Sequence, residues 1–375
     1  MKGDIRAVRH YLNNSVGGLA RCAEYLIGAQ IQLAQRPCEF YGPASDVRLL
    51  PGTPRRAYQS IKSVSGLNQW KFALQSSWQR SFDNVIRHYH NFGLGSIDVF
   101  TAHGLYSQHW QANRVPGQKN SPMSLAQFRA LSALEKHVFR QARVVVFLAT
   151  EVRNYVEQEM NIRRPGHFIV IPPGVDGAIY NSAVRHDVLL NRKKFFPGQD
   201  PRSRWLLFVG NDYKGKGLLR LLEGLKEIER SNNEKTTVDV LVFGNDRANS
   251  ARASALARSL SVKVCFFESD ASLRAAYGLS DILMMDSLSE GFPLVLLESM
   301  SAGCVPFVTR FGGVPDVVQH EVNGHICANA VDVIFQALSA PDSRLQSMSK
   351  QAVETARQYT WRKTAEEYEA VYRSL

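Results

Sequence analysis

The sequence predicts an α/β protein built from doubly wound parallel sheets. Its 375 residues suit two domains or one large one. Hydrophobic residues make up 45% of the chain and charged residues 21%, the composition of a globular chain with a sizeable core. Short apolar, β-rich runs recur between helical patterns, as in parallel sheets that helices cover on both faces. We therefore expect two such halves.

The predicted strands are short apolar runs, which suit strands buried on both faces. They lie at 97–100, 144–148 and 168–171 in the first half and at 205–209, 238–243, 262–266, 282–285 and 305–308 in the second half. Pro172, Pro173 and Gly174 follow the third run and predict the boundary between a domain at 1–172 and a domain at 173–360. Residues 41–66, rich in Pro and Ser, are expected to form a long loop.

The formal net charge of +11 is confined to one half of the chain. Residues 1–175 contain 21 Lys and Arg against 10 Asp and Glu, whereas the remaining residues contain 24 of each kind. Such an excess suits nucleic acid, an anionic membrane surface or an acidic substrate. No nucleic-acid-binding motif accompanies the charge, so we expect no nucleic acid partner.

Cysteine usage and hydropathy predict the compartment. Five scattered cysteines without a CxxC pair indicate small core residues in a reducing environment. No apolar run approaches the ~18 residues that cross a bilayer, and the start of the chain lacks the apolar stretch of a signal peptide. We expect a cytoplasmic protein that neither spans a membrane nor is secreted.

The most informative segment follows the fourth predicted strand of the second half. Glu290, Gly291 and Phe292 form a turn, and Pro293 suits the first position of a helix. The N-terminus of a helix that follows a strand attracts a diphosphate through its free N–H groups. Glu298 lies in the second turn, roughly 10 Å from Glu290, a separation that suits a nucleotide sugar better than a paired acid and base. The alternative is an ordinary amphipathic helix with a proline start.

Glu290 and Glu298, seven residues apart in EGFPLVLLE, resemble the E-x7-E signature of glycosyltransferase family 4, which comprises retaining enzymes of the GT-B fold. The resemblance implies two Rossmann-like domains that face each other across a deep cleft. The domain at 1–172 would bind the acceptor and the domain at 173–360 the nucleotide sugar, with the C-terminal helix 361–375 packing back on the first domain.

Other segments occur in the order that this family shows. They are Gly17 and Gly18 after the first strand, the basic loop Gly210–Gly217, the glycine turns at 311–316 and 323–324, and the turn Thr360–Trp361 before the last helix.

The resemblance implies that Gly210, Lys214 and Lys216 grip the donor diphosphate, with Lys216 matching the lysine of the family. The chain departs from the family at Gly215, where many members carry an arginine beside or shortly before that lysine. Either Lys214 supplies the second cation or the site is electrostatically weakened. The alternative for the whole loop is a solvated basic turn.

The resemblance also assigns the remaining donor residues. Glu290 would bind hydroxyls of the transferred sugar, Glu298 would bind the ribose, and the sugar and phosphate pocket would be lined by Gly291, Phe292, Pro293 and Leu294. In this family, retention is pictured as front-face attack in which the donor phosphate takes the acceptor proton. This mechanism requires neither a metal nor a carboxylate pair of glycosidase spacing.

Two features of the first half have competing interpretations. Gly17 and Gly18 either let the backbone approach a ligand at the cleft or serve a tight turn. His103 follows a strand and precedes Gly104, where relatives place a residue that faces the sugar and acceptor, so we assign it to catalysis together with Glu290 and Lys216. A structural histidine is the alternative.

Residues 67–89 place aromatic and aliphatic side chains at helical spacing beside Lys and Arg. They predict a helix that either lies in an anionic lipid interface or covers the first sheet.

We expect a retaining, metal-independent glycosyltransferase that requires no cofactor. It would move a hexose-type sugar from a nucleotide-diphosphate sugar, a UDP-sugar or alternatively a GDP-sugar, to a glycan or lipid-linked acceptor. By analogy with lipopolysaccharide core enzymes it would serve bacterial cell-envelope synthesis, peripheral on the inner face of the cytoplasmic membrane. The alternatives are a GT-B epimerase or phosphorylase and a catalytically weak GT-B scaffold, which Gly215 favours.

Overall fold

A computed structural model describes residues 7–12, 18–34, 37–43, 55–58, 85–91, 93–112, 122–181, 203–231, 238–267 and 273–375. The chain divides into two compact units. Unit 1 comprises residues 1–174, Glu290–Phe292 and Trp361–Leu375, and unit 2 comprises Val175–Ser289 and Pro293–Thr360.

Unit 1 alternates strands and helices. Its elements are β1 (Ala7–Leu12), α1 (Gly18–Ala34), β2 (Cys38–Pro43), β3 (Arg55–Tyr58), β4 (Val85–His90), β5 (Val99–Ala102), α2 (Tyr106–Ala112), α3 (Pro122–Gln141), β6 (Val144–Phe147), α4 (Thr150–Gln158), β7 (Phe168–Val170) and, at the end of the chain, α12 (Trp361–Ser374). The strands form one parallel sheet in the order β3-β2-β1-β4-β5-β6-β7. The strand order reverses between β1 and β4, as it does at the switch point of a doubly wound sheet.

Unit 2 repeats this design. Its elements are β8 (Arg204–Val209), α5 (Leu218–Ser231), β9 (Val238–Phe243), α6 (Ser250–Arg258), β10 (Lys263–Phe267), α7 (Leu273–Leu279), β11 (Ile282–Met285), α8 (Leu294–Ser301), β12 (Val305–Thr309), α9 (Val314–Val317), β13 (His325–Cys327), α10 (Ala330–Ser339) and α11 (Asp342–Ala356). The sheet order is β10-β9-β8-β11-β12-β13, all parallel. The five apolar runs predicted for this half are strands β8 to β12 within one residue at either end, and the doubly wound prediction is confirmed.

The apolar pattern also explains how the helices pack. Helix α5 places leucines at positions three and four apart, and this face is buried against the sheet of unit 2. Of the helices that the structure describes in either unit, none is both long enough and apolar enough to cross a membrane.

Two expectations for the first half are wrong in part. The helical pattern at 67–89 does not extend to its end, because residues 85–90 form β4 in the centre of the sheet; residues 59–84 lie outside the described part of the chain. The segment 41–66 is not a loop throughout, since β2 enters it and β3 lies within it.

Strands β1 and β4 carry the same tripeptide, Arg-His-Tyr, at 9–11 and 87–89, and they pair with these tripeptides in register. The rings of Tyr11 and Tyr89 stack 4.3 Å apart. Side chains of a strand alternate between its two faces, so the histidines lie on the opposite face from these tyrosines.

The histidines form a buried polar layer. His10, His88 and His90 are each 0% exposed. His10 lies within hydrogen-bond distance of His90, 3.2 Å from Nδ1 to Nε2, and of the Oε1 atom of Gln30 on α1, 3.1 Å from Nε2. The hydroxyl of Tyr372 on α12 lies 2.8 Å from His88 Nδ1. Helices α1 and α12 therefore cover the layer and satisfy its polar atoms.

Burial keeps this layer uncharged. It lowers the pKa of His10 to about 3, although the hydrogen bond to Gln30 acts in the opposite direction. Burial also lowers the pKa of His88 and of His90 well below the ordinary value, and the neighbouring histidines lower both further.

We predict that unit 1 loses stability in mild acid. Below pH ~6.5 each of these histidines binds a proton in the unfolded chain, whereas the folded ring stays neutral down to about pH 3 for His10. The free energy of unfolding should therefore be greatest above pH ~6.5 and fall on acidification by up to about 1.4 kcal/mol per pH unit for each histidine. Urea unfolding measured between pH 4 and pH 8 tests this.

The matched variants are His10→Gln and His109→Gln, because His109 is exposed. The first should reduce the acid slope by about one proton, or about 1.4 kcal/mol per pH unit. The second removes an exposed imidazole and serves as the control. An unaltered slope in His10→Gln would contradict the assignment.

Candidate functional site

The candidate site of unit 2 lies where its strand order reverses. Strands β8 and β11 are neighbours in the sheet although they are not consecutive in the chain. The loop Gly210–Gly217 follows β8, and the segment that begins at Asp286 follows β11. In open parallel sheets, ligands bind at the carboxyl ends of strands at such a reversal.

Asp286 joins the two loops. Its Oδ2 atom accepts a hydrogen bond from Arg220 Nε at 2.5 Å in an ion pair, and its Oδ1 atom accepts one from the hydroxyl of Thr309 at 3.1 Å. Arg220 also donates to the carbonyl oxygens of Asp286 and Lys214, the latter at 2.9 Å. The amide of Leu288 donates to the carbonyl oxygen of Gly215 at 2.8 Å. Sequence reasoning missed Arg220, Asp286 and Thr309, whose partners lie far away in the chain.

Two glycines allow the close approach within this platform. Gly217 has φ +91°, and a Cβ atom there would lie 2.3 Å from the carbonyl oxygen of Asp286. A Cβ atom at Gly210 would lie 2.8 Å from Cδ of Lys216, so the partly buried Lys216 side chain lies across Gly210. The structure thus brings Gly210 and Lys216 together, and both residues were predicted to bind the donor.

The departure from the family at Gly215 has a steric reason. Asp212 Oδ1 accepts a hydrogen bond from the amide of Gly215 at 2.8 Å, and a Cβ atom at Gly215 would lie 2.1 Å from Asp212 Oδ2. The nearby guanidinium of Arg220 is engaged within the loop, since it donates to Asp286 and to the carbonyl oxygen of Lys214. Lys214, in the same loop, is exposed.

The carboxylate of Asp246 also fixes the loop after β8. Asp246 accepts the amide of Tyr213 at 2.8 Å, and the Tyr213 hydroxyl donates to the carbonyl oxygen of Gly244 at 2.7 Å. Burial alone would raise the pKa of Asp246, but hydrogen bonds from Asn249, Tyr213 and Ala248 lower it overall. The loop is therefore fixed at both ends of its first turn.

Helix α8 begins one residue later than expected. Pro293 is its N-cap, with extended backbone angles, and Leu294 is the first helical residue. The prediction that Pro293 is the first helical residue is therefore wrong, because its ψ of 109° lies outside the helical region. The amide of Leu296 donates to the carbonyl oxygen of Pro293 at 3.1 Å, so the amides without a partner inside the helix are those of Leu294 and Val295.

Glu298 in the second turn of α8 is 4% exposed. Its Oε2 atom accepts a hydrogen bond from the Tyr277 hydroxyl at 2.8 Å, and the Tyr277 ring lies edge-on to Tyr180. Sequence reasoning missed Tyr277. The contact fixes the direction of the buried carboxylate.

The candidate residues of unit 1 surround His103, which follows β5. The tripeptide Glu290–Phe292 is part of this unit, and a Cβ atom at Gly291 would lie 1.7 Å from the carbonyl oxygen of His103. Only glycine fits there. The amide of His103 donates to Asn91 Oδ1 at 2.8 Å. Glu290 is partly exposed and Phe292 is buried.

The His103 ring contacts the histidine layer of β1 and β4. Its Nε2 atom lies 2.9 Å from Nδ1 of His90. Burial lowers the pKa of His103 to about 3, so its ring is neutral at physiological pH. The structural and catalytic interpretations of this residue are thus not mutually exclusive.

The structure describes only one of the two glycines predicted to lie at the cleft, Gly17 and Gly18. Gly17 lies outside the described residues. Gly18 is the first residue of α1, and a Cβ atom there would have no heavy atom within 4 Å. The protein itself therefore does not require glycine at position 18.

Among the residues that the structure describes, two groups of side chains have the composition of metal ligands. In His10, His88 and His90 the nitrogen atoms lie within 4.8 Å of one another, as do the ligand atoms of His320, Glu321 and His325. Both ring nitrogens of His10 and of His90 lie within hydrogen-bond distance of other side chains. A metal ion in the first group would have to replace those hydrogen bonds.

Comparison with known proteins shows which proteins the chain resembles. Residues 191–355 match the family model described as glycosyl transferases group 1. The chain is 29% identical over 240 residues to the D-inositol 3-phosphate glycosyltransferase of Corynebacterium aurimucosum. This alignment covers 61% of this chain and 56% of that protein. The chain spans about half the length of the curated relatives it matches.

Solved structures share the fold over nearly the whole chain. WaaG, a glycosyltransferase involved in lipopolysaccharide biosynthesis, superposes with a TM-score of 0.77 at 16% identity, covering 97% of this chain and 99% of WaaG. Anabaena Alr3699/HepE in complex with UDP and glucose superposes with a TM-score of 0.70 at 14% identity, covering 99% of this chain and 100% of HepE. Residues 191–355 are thus similar to glycosyl transferases group 1, and the resemblance of the chain to glycosyltransferases of the GT-B fold is confirmed.

Proposed function

We propose that this protein is a glycosyltransferase whose unit 2 binds a nucleotide-diphosphate sugar and whose unit 1 binds the acceptor. The observation that carries the proposal is the platform at the strand reversal of unit 2, where Asp286 and Arg220 join the loop containing Lys216 to the segment that leads into α8.

The diphosphate would be held by a fixed positive field. The amides of Leu294 and Val295 supply N–H donors, and the start of α8 supplies the positive end of the helix dipole. Lys216 adds an ammonium whose stem is held over Gly210. When the sugar leaves, negative charge grows on the phosphate, and groups already aimed at it stabilise the transition state without reorganising.

The two carboxylates would bind opposite ends of the donor. Buried Glu298, held by Tyr277, accepts hydrogen bonds from the ribose hydroxyls, a task for which burial strengthens the interaction. Glu290 accepts hydroxyls of the transferred sugar, and the backbone at Gly291 and Phe292 lines the sugar pocket together with Pro293. His103 faces the sugar and acceptor from the end of β5.

The reaction would proceed with retention and without a metal. The chain offers Lys216 and the start of α8 as the stabilising positive groups, and the donor phosphate itself takes the acceptor proton in front-face attack. Asp212 accounts sterically for glycine at 215, so this position does not by itself favour a catalytically weak scaffold.

The donor is a UDP-sugar in this proposal, with a GDP-sugar as the alternative. HepE, with the same fold, is found in complex with UDP and glucose. The acceptor is a glycan or a lipid-linked sugar of the bacterial envelope, an analogy to WaaG. The basic excess at 1–175 would serve an anionic lipid surface or a phosphorylated acceptor and place the protein on the inner face of the cytoplasmic membrane.

A screen of nucleotides and nucleotide sugars by thermal unfolding tests the donor assignment. We expect selective stabilisation by one UDP-sugar, by about 2.7 kcal/mol at a ligand concentration 100 times Kd. Glu298→Gln keeps an oxygen for the Tyr277 hydroxyl but loses the charge, so it should weaken the shift for every nucleotide that carries the same ribose. If no nucleotide sugar stabilises the wild-type chain, the proposal is wrong.

Replacement of single lysines tests the diphosphate site. Lys216→Met should lower kcat/KM about 100-fold, because a positioned donor to the transition-state charge is lost. Lys226→Met, on α5 outside the site, is the control for a lost positive charge. Release of nucleoside diphosphate is the measurement.

Lys214→Met then separates the two alternatives for the missing family cation. A loss similar to that of Lys216→Met means that Lys214 supplies the second cation, whereas a small loss means that the site works with one. An unchanged kcat/KM in Lys216→Met would contradict the assigned site.

Vesicle co-sedimentation tests the membrane proposal. Arg129 and Arg140 are exposed and lie eleven positions apart on α3, so they share a face of that helix. Their double replacement by Glu should reduce binding to anionic vesicles, since each basic residue near the surface contributes about 1 kcal/mol. The same double replacement at exposed Arg258 and Arg357 of unit 2 alters the net charge equally and should have less effect. Equal binding of the wild-type chain to neutral vesicles would count against the proposal.

A further inference from the structure

His103 is one end of a hydrogen-bond chain that runs through the interior of unit 1. His103 Nε2 lies 2.9 Å from His90 Nδ1, His90 Nε2 lies 3.2 Å from His10 Nδ1, and His10 Nε2 lies 3.1 Å from Oε1 of Gln30. His10, His90 and Gln30 are each 0% exposed. Water therefore does not substitute for any partner within this chain.

The positions of the protons follow from the amide of Gln30. Its Oε1 atom carries no hydrogen, so Nε2 of His10 must be the donor. A neutral imidazole has a single N–H, so Nδ1 of His10 accepts, and Nε2 of His90 must donate to it. The same step applied once more makes Nε2 of His103 the donor to His90 and leaves Nδ1 of His103 as the acceptor nitrogen.

The orientation of the Gln30 amide is held from the C-terminal helix. Its Nε2 atom donates to the hydroxyl of Tyr372 on α12 at 2.9 Å, and the thiol of Cys38 points to Oε1 at 3.9 Å. The Tyr372 hydroxyl in turn lies 2.8 Å from His88 Nδ1. A reversed amide would reverse the donor and acceptor of every ring in the chain, including His103.

We propose that Gln30 and Tyr372 are positioning residues that hold His103 as the Nε2–H tautomer, with the lone pair on Nδ1 available to a hydroxyl of the bound substrate. This inference rests on the proposed function for the role of His103 in transfer. The tautomer itself depends only on the interior of unit 1. Residues of α1 and α12 thus act on the site through His10 and His90 without contacting a ligand.

Two tyrosines of α12 provide matched variants. Tyr372→Phe removes the hydroxyl that orients Gln30. Tyr368→Phe removes a hydroxyl of the same helix that is equally buried but bonds Thr101, at 2.8 Å, on the far side of His88. Both changes delete one buried oxygen, but only Tyr372 contacts the Gln30 amide directly. Tyr368 is connected to that amide only through Thr101, His88 and Tyr372 itself.

The measurement is the nitrogen NMR spectrum of histidine-labelled full-length protein without substrate, which distinguishes protonated from unprotonated ring nitrogens. We expect the proton of His103 on Nε2 in the wild-type chain and in Tyr368→Phe, and a mixture of tautomers in Tyr372→Phe. In transfer assays kcat of Tyr372→Phe should fall in proportion to the lost Nε2–H fraction, about two- to tenfold, with KM unchanged. Tyr368→Phe should keep the wild-type kcat.

A His103 proton on Nδ1 in the wild-type chain would overturn the proposal, and so would an unchanged tautomer in Tyr372→Phe. A shifted tautomer with unchanged kcat would uphold the positioning by Gln30 and Tyr372 and contradict the proposed role of His103 in transfer. The tautomer measurement thus tests the interior of unit 1, and the kcat measurement tests the reaction.

Discussion

The arrangement of unit 2 depends on the ion pair between Asp286 and Arg220. Strands β8 and β11 bring two loops to the same edge of the sheet, but parallel pairing alone does not fix the course of either loop. Asp286 and Arg220 do so by linking side chain to side chain and guanidinium to backbone carbonyls. The approach is close enough to exclude any side chain at Gly217. Lys216 and the start of α8 therefore sit on one rigid support, and a fixed positive field costs no reorganisation when charge develops on a bound phosphate.

Unit 1 has the same kind of parallel sheet as unit 2, but the interior at its central strands is polar. Its central strands bury histidines where unit 2 buries aliphatic side chains, and a buried polar group is tolerated only when it is hydrogen-bonded. Gln30 on α1 and Tyr372 on α12 supply such hydrogen bonds, although the two residues are 342 positions apart in the chain. The last helix is thus part of the interior of the first unit and not an accessory to it.

Much of the fold could be predicted from the sequence, and the exceptions have a common cause. Strands β8 to β12 were predictable because their apolar runs are continuous. The resemblance implied a first strand before Gly17, but neither β1 nor β4 was among the predicted apolar runs, because the tripeptide Arg-His-Tyr is polar even though its histidines are fully buried. The repeat of this tripeptide was the available signal. At the site, the motif predicted Glu290, Glu298 and Lys216. It did not predict Tyr277 or Arg220, since their partners are brought together only by tertiary packing.

The turn at Asp212 makes two positions of the chain interdependent. The carboxylate of Asp212 occupies the space that any side chain at 215 would need, and it also accepts the amide hydrogen bond of that residue. An arginine at 215 is therefore compatible only with a smaller or differently directed residue at 212. Among related sequences the two positions should covary, and substitutions there should be strongly non-additive. A cation can therefore be introduced at position 215 only together with a change at position 212.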